Sequence, residues 1–356
     1  MRVKTLTPLW TGGVNSKVDR IHETGLLGSL RWWYETLVRG LGGNVCNEEH
    51  KCDFDTQKYI SSKANSEAER LKEAGLCDVC QVFGATGWKR RFRLSVVEDN
   101  IRDAKIQHPI KAYKKKYVSG GKEYVPTWYF SDPSKTNVSP VPPNTPKIGN
   151  FEILLQSLDY DFQIEIIKGL IQFIADWAGL GARNQMGFGI IEPIGERADA
   201  SYLYEKLLTN VGNYHYAELP SLKNVFLVQI KVGNAEEVET FNIKCDLRRL
   251  FSDNKDVRHF VMGTAGEKKD SAKKIAAKIK ISHPYNDNLM RIWGWIPEEA
   301  DCYNKNWDRE KIVSDIYKYL TTNYNLEVWR EIDSKRDTVT PNITKPEKFL
   351  QSLLGL

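Results

Sequence analysis

The chain has 356 residues, of which 27% are charged and 41% hydrophobic. That mixture excludes a fully disordered chain, a coiled coil and a collagen-like polymer, and the length sets an expectation of two domains. Fifty-one Lys and Arg against 46 Asp and Glu leave a net charge of +5, too small an excess to separate a nucleic-acid binder from any other protein.

The first nine residues read as a strand ended by Gly12-Gly13. Leu26, Leu30, Trp33, Leu37 and Leu41 then recur at helical spacing, which predicts a helix over 26–41. Residues 44–80 look irregular apart from a short helical stretch at 66–73, and residues 91–97 read as a strand. A hairpin or insertion is expected at 105–130. It leads into a loop at 131–149 that holds five of the fourteen prolines. A strand at 151–158, a helix at 163–178, a glycine-rich loop at 179–189 and a strand at 188–193 follow. The order β-α-β-β-α-β is that of a ferredoxin-like unit with insertions.

The second half repeats that order. A strand is expected at 225–232, a short helix within 246–262, adjacent strands at 276–282 and 289–296, a helix at 308–323 and a strand at 326–332. The fold class is therefore α+β, with two tandem ferredoxin-like, RRM-like domains. They are expected at residues 1–200 and 220–335, with insertions in the first and a tail at 336–356. Phe349, Leu350, Leu353 and Leu354 give that tail an apolar patch suited either to its own core or to a partner.

Charge is concentrated rather than spread. Residues 87–125 carry eleven Lys and Arg against four acidic residues, a net of +7 that exceeds the total for the whole chain. Lys89, Arg90, Arg91, Arg93, Lys114, Lys115 and Lys116 belong to this run, with Tyr113, Tyr117, Tyr124, Trp128 and Tyr129 interleaved. Local positive charge is what a phosphate backbone requires, and aromatic rings beside it suit unpaired bases. The competing reading is a solvated hairpin whose aromatics face the sheet. A second basic run spans 266–280, with Lys268, Lys269, Lys273, Lys274, Lys278 and Lys280.

The loop Gly179-Leu180-Gly181-Ala182-Arg183-Asn184-Gln185-Met186-Gly187-Phe188-Gly189 is neither a P-loop nor a dinucleotide fingerprint, because it lies between a helix and a strand. Glycines permit close backbone approach to a ligand, and Arg183 is suited to phosphate. Some of these glycines are explained by a helix cap alone. In the first helix Trp33 falls in the apolar stripe. Trp32 falls on the other side and either covers a neighbouring element or serves RNA or a partner.

Six cysteines are too few for a disulfide scaffold, and four of them crowd into one early segment. Cys77-x2-Cys80 has the spacing of half a zinc site. Cys46-x5-Cys52 is a wider second half, and His50 stands where a ligand would fit better. Free buried thiols are the alternative. His22, with Arg20 nearby, is the one histidine placed for acid–base chemistry in a metal-independent ribonuclease, although a lone histidine is more often a hydrogen-bonding residue. No apolar run suits a signal peptide or the ~20 residues of a membrane span, so the expected location is the cytoplasm.

Glu23-Thr24-Gly25-Leu26-Leu27-Gly28-Ser29-Leu30-Arg31-Trp32-Trp33 closely resembles the first-helix motif of one RAMP family. So do the run from Cys77 through Cys80, Phe83 and Gly84 to Trp88, and the Arg91-Phe92-Arg93-Leu94 strand. The loop at 179–189 resembles the RAMP G-loop. The family is the first subunit of the Cmr, type III-B, CRISPR RNA-guided effector. The resemblance implies a non-catalytic scaffold near the 3′ end of the guide, in contact with guide RNA, target RNA and other Cmr-type subunits. Taken with the basic run, it marks Arg20, His22, Arg31, Lys89, Arg90, Arg91, Arg93, Lys114, Lys115, Lys116, Arg183 and Asn184 as the expected RNA contacts. Cys46, Cys52, Cys77 and Cys80 are the expected ligands of a structural zinc. The alternative activity is endoribonuclease processing of guide precursors, and a pure protein–protein role is a third reading.

Overall fold

The computed structural model describes residues 1–13, 17–47, 50–106, 109–128, 145–264, 275–300 and 307–356. The first half contains β1 (Arg2–Thr5) and α1 (Glu23–Gly40), then an insertion with α2 (Thr56–Ser61), α3 (Glu67–Glu73) and α4 (Cys80–Phe83). After β2 (Phe92–Asp103) comes a second insertion with β3 (Ile110–Lys111), β4 (Tyr117–Ser119), β5 (Lys122–Tyr124) and β6 (Thr127–Trp128). β7 (Lys147–Ser157), α5 (Glu165–Trp177) and β8 (Ile191–Pro193) close this half, and α6 (Ser201–Leu208) follows. The second half runs β9 (Val225–Lys231), α7 (Val238–Leu250), α8 (Lys255–Met262), β10 (Lys280–Ile281), β11 (Leu289–Trp295), α9 (Arg309–Asn323) and β12 (Asn325–Arg330), before α10 (Pro346–Leu354).

Two four-stranded antiparallel sheets result, in the orders β2-β7-β1-β8 and β10-β11-β9-β12. If the strands of each sheet are counted in chain order, both read 2-3-1-4. This is the ferredoxin-like arrangement, present twice in one chain. The expected fold class is therefore what the structure has.

Several boundaries differ from the sequence reading. β2 and β7 are longer than expected, because their pairing continues past a bulge at Glu98–Asn100 to Asp103 and Lys147. The helix expected within 246–262 is two helices, α7 and α8. Asn254 separates them by capping the second, its side-chain oxygen accepting from Asp256 and Val257 N–H. Of the strand expected at 276–282, only Lys280–Ile281 forms a strand, with Ser282 adding an isolated bridge to Gly187. The helix α6 was not anticipated. Tyr129 and most of the proline-rich loop, together with Lys268, Lys269, Lys273 and Lys274, lie outside the described residues.

The packing follows from the strand sequences. In the first sheet Phe92, Leu94, Phe151 and Ile153 are buried beneath α1 and α5, while Arg93, Leu154 and Gln156 on alternate positions are exposed. In the second sheet the central strands β9 and β11 are buried on both sides over most of their length. Phe226, Val228 and Ile230 enter the core beneath α7 and α9, whereas Val225, Leu227 and Trp293 join the core of the first half. The two halves meet without room to spare. A Cβ on Gly40 would stand 2.4 Å from Leu222 Cβ, so only glycine fits at this helix end. Across the same junction Arg291 Nη1 donates to Ala178 O at 3.2 Å and Arg39 Nη1 to Pro220 O at 3.2 Å.

The apolar tail docks on its own core. Phe349, Leu350, Leu353 and Leu354 are buried, and Trp177 Nε1 donates to Leu353 O at 2.8 Å. Arg330, buried between the Trp177 and Phe349 rings, binds Asp337 at 3.0 Å and Ser352 Oγ at 2.8 Å. Truncation of the fully buried Phe349 to alanine removes one wall of this junction. It should cost about 3–5 kcal/mol, read as a lowered urea midpoint; a midpoint unchanged from wild type would contradict the docking.

Candidate nucleic-acid interface and cysteine cluster

The glycine-rich loop leaves α5 and returns to β8 through a short 3-10 turn at Asn184–Met186. Two neighbours hold its shape. Ser29 Oγ on α1 accepts from Gly181 N–H at 2.9 Å, and Ala182 N–H donates to Trp10 O at 2.7 Å. Asn184 Nδ2 bridges Leu180 O at 3.1 Å and Phe188 O at 3.0 Å, so this expected RNA contact is a brace inside the loop. Gly187 has φ +102°, and a Cβ there would meet the His283 ring at 2.4 Å. Gly189 has φ +97°, and a Cβ there would meet Leu180 O at 2.1 Å. Close approach within the protein, not to a ligand, therefore accounts for these two glycines.

The loop forms one wall of a cleft of about 480 Å³ between the two halves. Gly28, Ser29 and Trp32 of α1 form the second wall, and Lys278, Lys280 and Trp293 the third. Trp32 stands edge-on to the buried Trp33 at 4.7 Å, half-buried and facing this space. Burial pushes the Lys280 ammonium down to about 8, with Lys278 adding repulsion. Lys244 is pushed to about 8 by burial and then by Lys280 and Arg248, and its Nζ donates to Gln185 O of the loop at 2.9 Å. Arg183, with φ +57°, lays its guanidinium over Trp10 at 3.9 Å, and burial lowers its pKa. Several cations therefore lie around the loop, with Lys244 Nζ on Gln185 O and Lys278 Nζ on Ala276 O.

The other expected RNA contacts separate into exposed and engaged groups. Lys89, Arg93 and Lys114 are exposed. Arg90 lies over Phe92, with 5.8 Å to the ring centroid. Arg91 is ion-paired with Glu67 and with Asp159, the latter at 3.3 Å. Lys115 docks the hairpin on α7 through Asp246 at 2.5 Å, and Lys116 pairs with Glu123 at 2.9 Å. Tyr113, Tyr117 and Tyr124 are exposed, whereas Trp128 packs on Phe241 of α7, not on a sheet, at 4.8 Å. His22 Nε2 meets Asp19 at 2.6 Å and Arg20 turns to Glu23 at 2.8 Å, so the structure does not bring the two together as one acid–base pair. Lys244 and Trp293 escaped the list of expected contacts. Lys244, well before the second basic run, carried no sequence signal, and that of Trp293 was its place in the Trp-Gly-Trp strand.

The Sγ atoms of Cys46, Cys52, Cys77 and Cys80 all lie within 4.8 Å of one another, and this group can hold a metal ion. Cys46 and Cys80 are 3.6 Å apart, far beyond the ~2.05 Å of a disulfide. His50 is exposed, with its backbone N–H on Asn47, and is not in the group. Asp78 builds the knuckle: its carboxylate accepts from Asn44 N–H at 2.7 Å and pairs with Lys72 at 3.0 Å. Without a cation the sulfurs compete for protons. Hydrogen bonds from Cys77 and Cys80 favour a Cys46 thiolate, while Cys77 is pushed up to about 12 by donating to Cys46, and Cys80 is pushed up as well. Arg31 is taken up by this cluster. It donates to Glu35 at 3.0 Å, Gly84 O at 3.1 Å and Cys80 Sγ at 3.3 Å.

Two ferredoxin-like units with a glycine-rich loop between the last helix and strand of the first define the class of the protein. The sequence profile of the RAMP superfamily matches residues 2–192. The chain belongs to the RAMP superfamily. Among solved structures it is similar to apo Cmr1 from Pyrococcus furiosus, at 14% identity over 90% of this chain and 95% of that one, with a TM-score of 0.44. It is also similar to a chain of the type III-B Cmr-beta complex bound to cognate target RNA and AMPPnP in the presence of single-stranded DNA. There the identity is 13%, the coverage 89% and 97%, and the TM-score 0.45. Likeness at this level carries no functional argument. Comparison with curated protein sequences returned no match. No helix among the described residues is long and apolar enough to cross a membrane.

The half-buried Lys280 makes a prediction about stability. Lys280 ionises near 8 in the fold against 10.5 for an ordinary lysine. Between those values the unfolded chain binds more protons than the folded one, so stability rises with pH across that window, and below it the full penalty is present. Lys280→Met should therefore raise the urea midpoint at pH 7 and flatten the rise between pH 8 and 10; an unchanged pH slope would contradict the burial of this charge.

Proposed function

We propose that the chain is an RNA-binding, non-catalytic scaffold subunit of a Cmr-type CRISPR RNA-guided effector, in contact with guide and target RNA near the 3′ end of the guide, and cytoplasmic. The observation that carries this reading is the cleft at the junction of the two halves. There the G-loop backbone, the Trp32 ring and two lysines converge on one space of nucleotide size. Phosphate is held by cations and bases by rings, which positions a strand without reading its sequence. The first-helix and Cys-x-x-Cys-x-x-Phe-Gly motifs support the Cmr assignment within the superfamily.

In this reading Lys278, Lys280 and Arg183 serve the cleft, and Lys89, Arg90, Arg93 and Lys114 extend the backbone contact outside it. Arg20, His22, Arg31, Arg91, Lys115, Lys116 and Asn184 have structural partners and are assigned to the scaffold. The division into units at 1–200 and 220–335 with a tail at 336–356 belongs to the same proposal, supported by the two separate sheets. The four cysteines hold a structural zinc, the ion that a thiolate set suits best. The protein partners are other subunits of the effector.

Single-stranded RNA binding, titrated over a range of salt, tests the assignment. Lys278→Glu with Lys280→Glu should weaken binding roughly tenfold or more. It should also reduce the salt slope by about 0.7 per lost phosphate contact. Unchanged affinity and slope would overturn the cleft as the RNA site. Repeat RNA incubated in EDTA should remain intact; discrete, His22-dependent cleavage would establish the ribonuclease reading instead.

A further inference from the structure

The cysteine cluster and the RNA cleft share one helix. On α1, Ser29 Oγ holds the G-loop through Gly181 and Trp32 faces the cleft, while Arg31, between them in sequence, reaches the sulfur of Cys80. The same guanidinium donates to Gly84 O, immediately after α4, and to Glu35 one turn along α1. No other side chain spans the helix, the knuckle and a sulfur in this way among the hydrogen bonds of the described residues. Arg31 is half-buried, so these contacts are only partly screened.

The donor set explains why the contact matters. Bonds of about 2.3 Å to a tetrahedral zinc place sulfurs about 3.8 Å apart, compatible with four Sγ atoms already within 4.8 Å. Four thiolates on one divalent ion leave two net negative charges. Among the described residues, hydrogen-bond donors to these sulfurs are Cys77 N–H on Cys52 Sγ at 3.2 Å, Cys80 N–H on Cys77 Sγ at 3.4 Å and the Arg31 guanidinium on Cys80 Sγ at 3.3 Å. Only the last carries a formal charge. The cluster faces a cleft of about 490 Å³ into which Cys46 and Cys52 open, so the ion is within reach of solvent chelators.

We propose, resting on the zinc reading above, that Arg31 is the outer-sphere positioning residue of a zinc tetrathiolate and transmits metal occupancy to α1, and so to the wall of the RNA cleft. With the metal bound, Arg31 is held by a charged cluster and clamps α1 to the knuckle. Without it, nothing gathers the four sulfurs on one centre, Cys80 is no longer fixed opposite the guanidinium, and the clamp between α1 and Gly84 loosens.

The test uses the full chain purified without chelator. Elemental analysis should find one zinc per chain, and cobalt exchange should produce the absorption of a tetrahedral thiolate site. Arg31→Ala should weaken zinc affinity by roughly 10–100-fold in chelator competition, with Arg31→Lys in between. Hydrogen exchange within 27–35 should rise both on metal removal from wild type and in metal-loaded Arg31→Ala. A folded chain with no zinc and no cobalt–thiolate absorption overturns the metal reading and this inference with it. Zinc bound with unchanged affinity in both Arg31 variants overturns only the role of Arg31. Faster exchange confined to 44–83 overturns the transmission to α1.

Discussion

The central strands of the second sheet are buried on both sides over most of their length, and the rest of the structure depends on covering both. Val225-Phe226-Leu227-Val228 alternates sides along a strand, yet every residue in it is buried. Helices α7 and α9 cover one side. The other is covered by the first ferredoxin-like unit, through Leu222 on Gly40 and Trp293 beside Gly179. Burying an apolar side chain of this size is worth about 1.5–3 kcal/mol. A free second unit would forgo several such contributions, so the two repeats form one body with a cleft at their seam.

That seam explains the position of the basic residues. Lys244 and Lys280 belong to elements of the second unit, but their charges sit against the G-loop of the first. Burial is unfavourable for each cation, and the two repel each other.

The first helix links the parts. Its inner stripe was legible from spacing, because Leu26, Leu30, Trp33 and Leu37 repeat at the helical period and are all buried. Its outer residues were not. Arg31 has the sequence appearance of a solvent cation in an RNA-binding motif, and its partners Glu35, Gly84 and Cys80 include two that lie about 50 residues away. Arg91 and Lys115 misled in the same way, since Glu67 and Asp246 come to them only through tertiary contact. Charge runs report where positive residues are dense along the chain. They carry no information about which of them meet carboxylates in space.

By itself the sequence determined the repeated ferredoxin-like plan, the Cys77-x2-Cys80 half-site and the loop at 179–189. Each of these follows from local periodicity, spacing or glycine content, which act over a few residues. Only the tertiary structure decided that Cys46 and Cys52 join Cys77 and Cys80 without His50, and that the apolar tail is internal. The same holds for the gathering of Trp32, Lys278, Lys280 and the G-loop around one space. Those outcomes depend on contacts between distant segments, and they are set by which apolar faces must be buried against each other. The +5 net charge that distinguished nothing at the outset becomes informative only when that burial places two lysines at the seam.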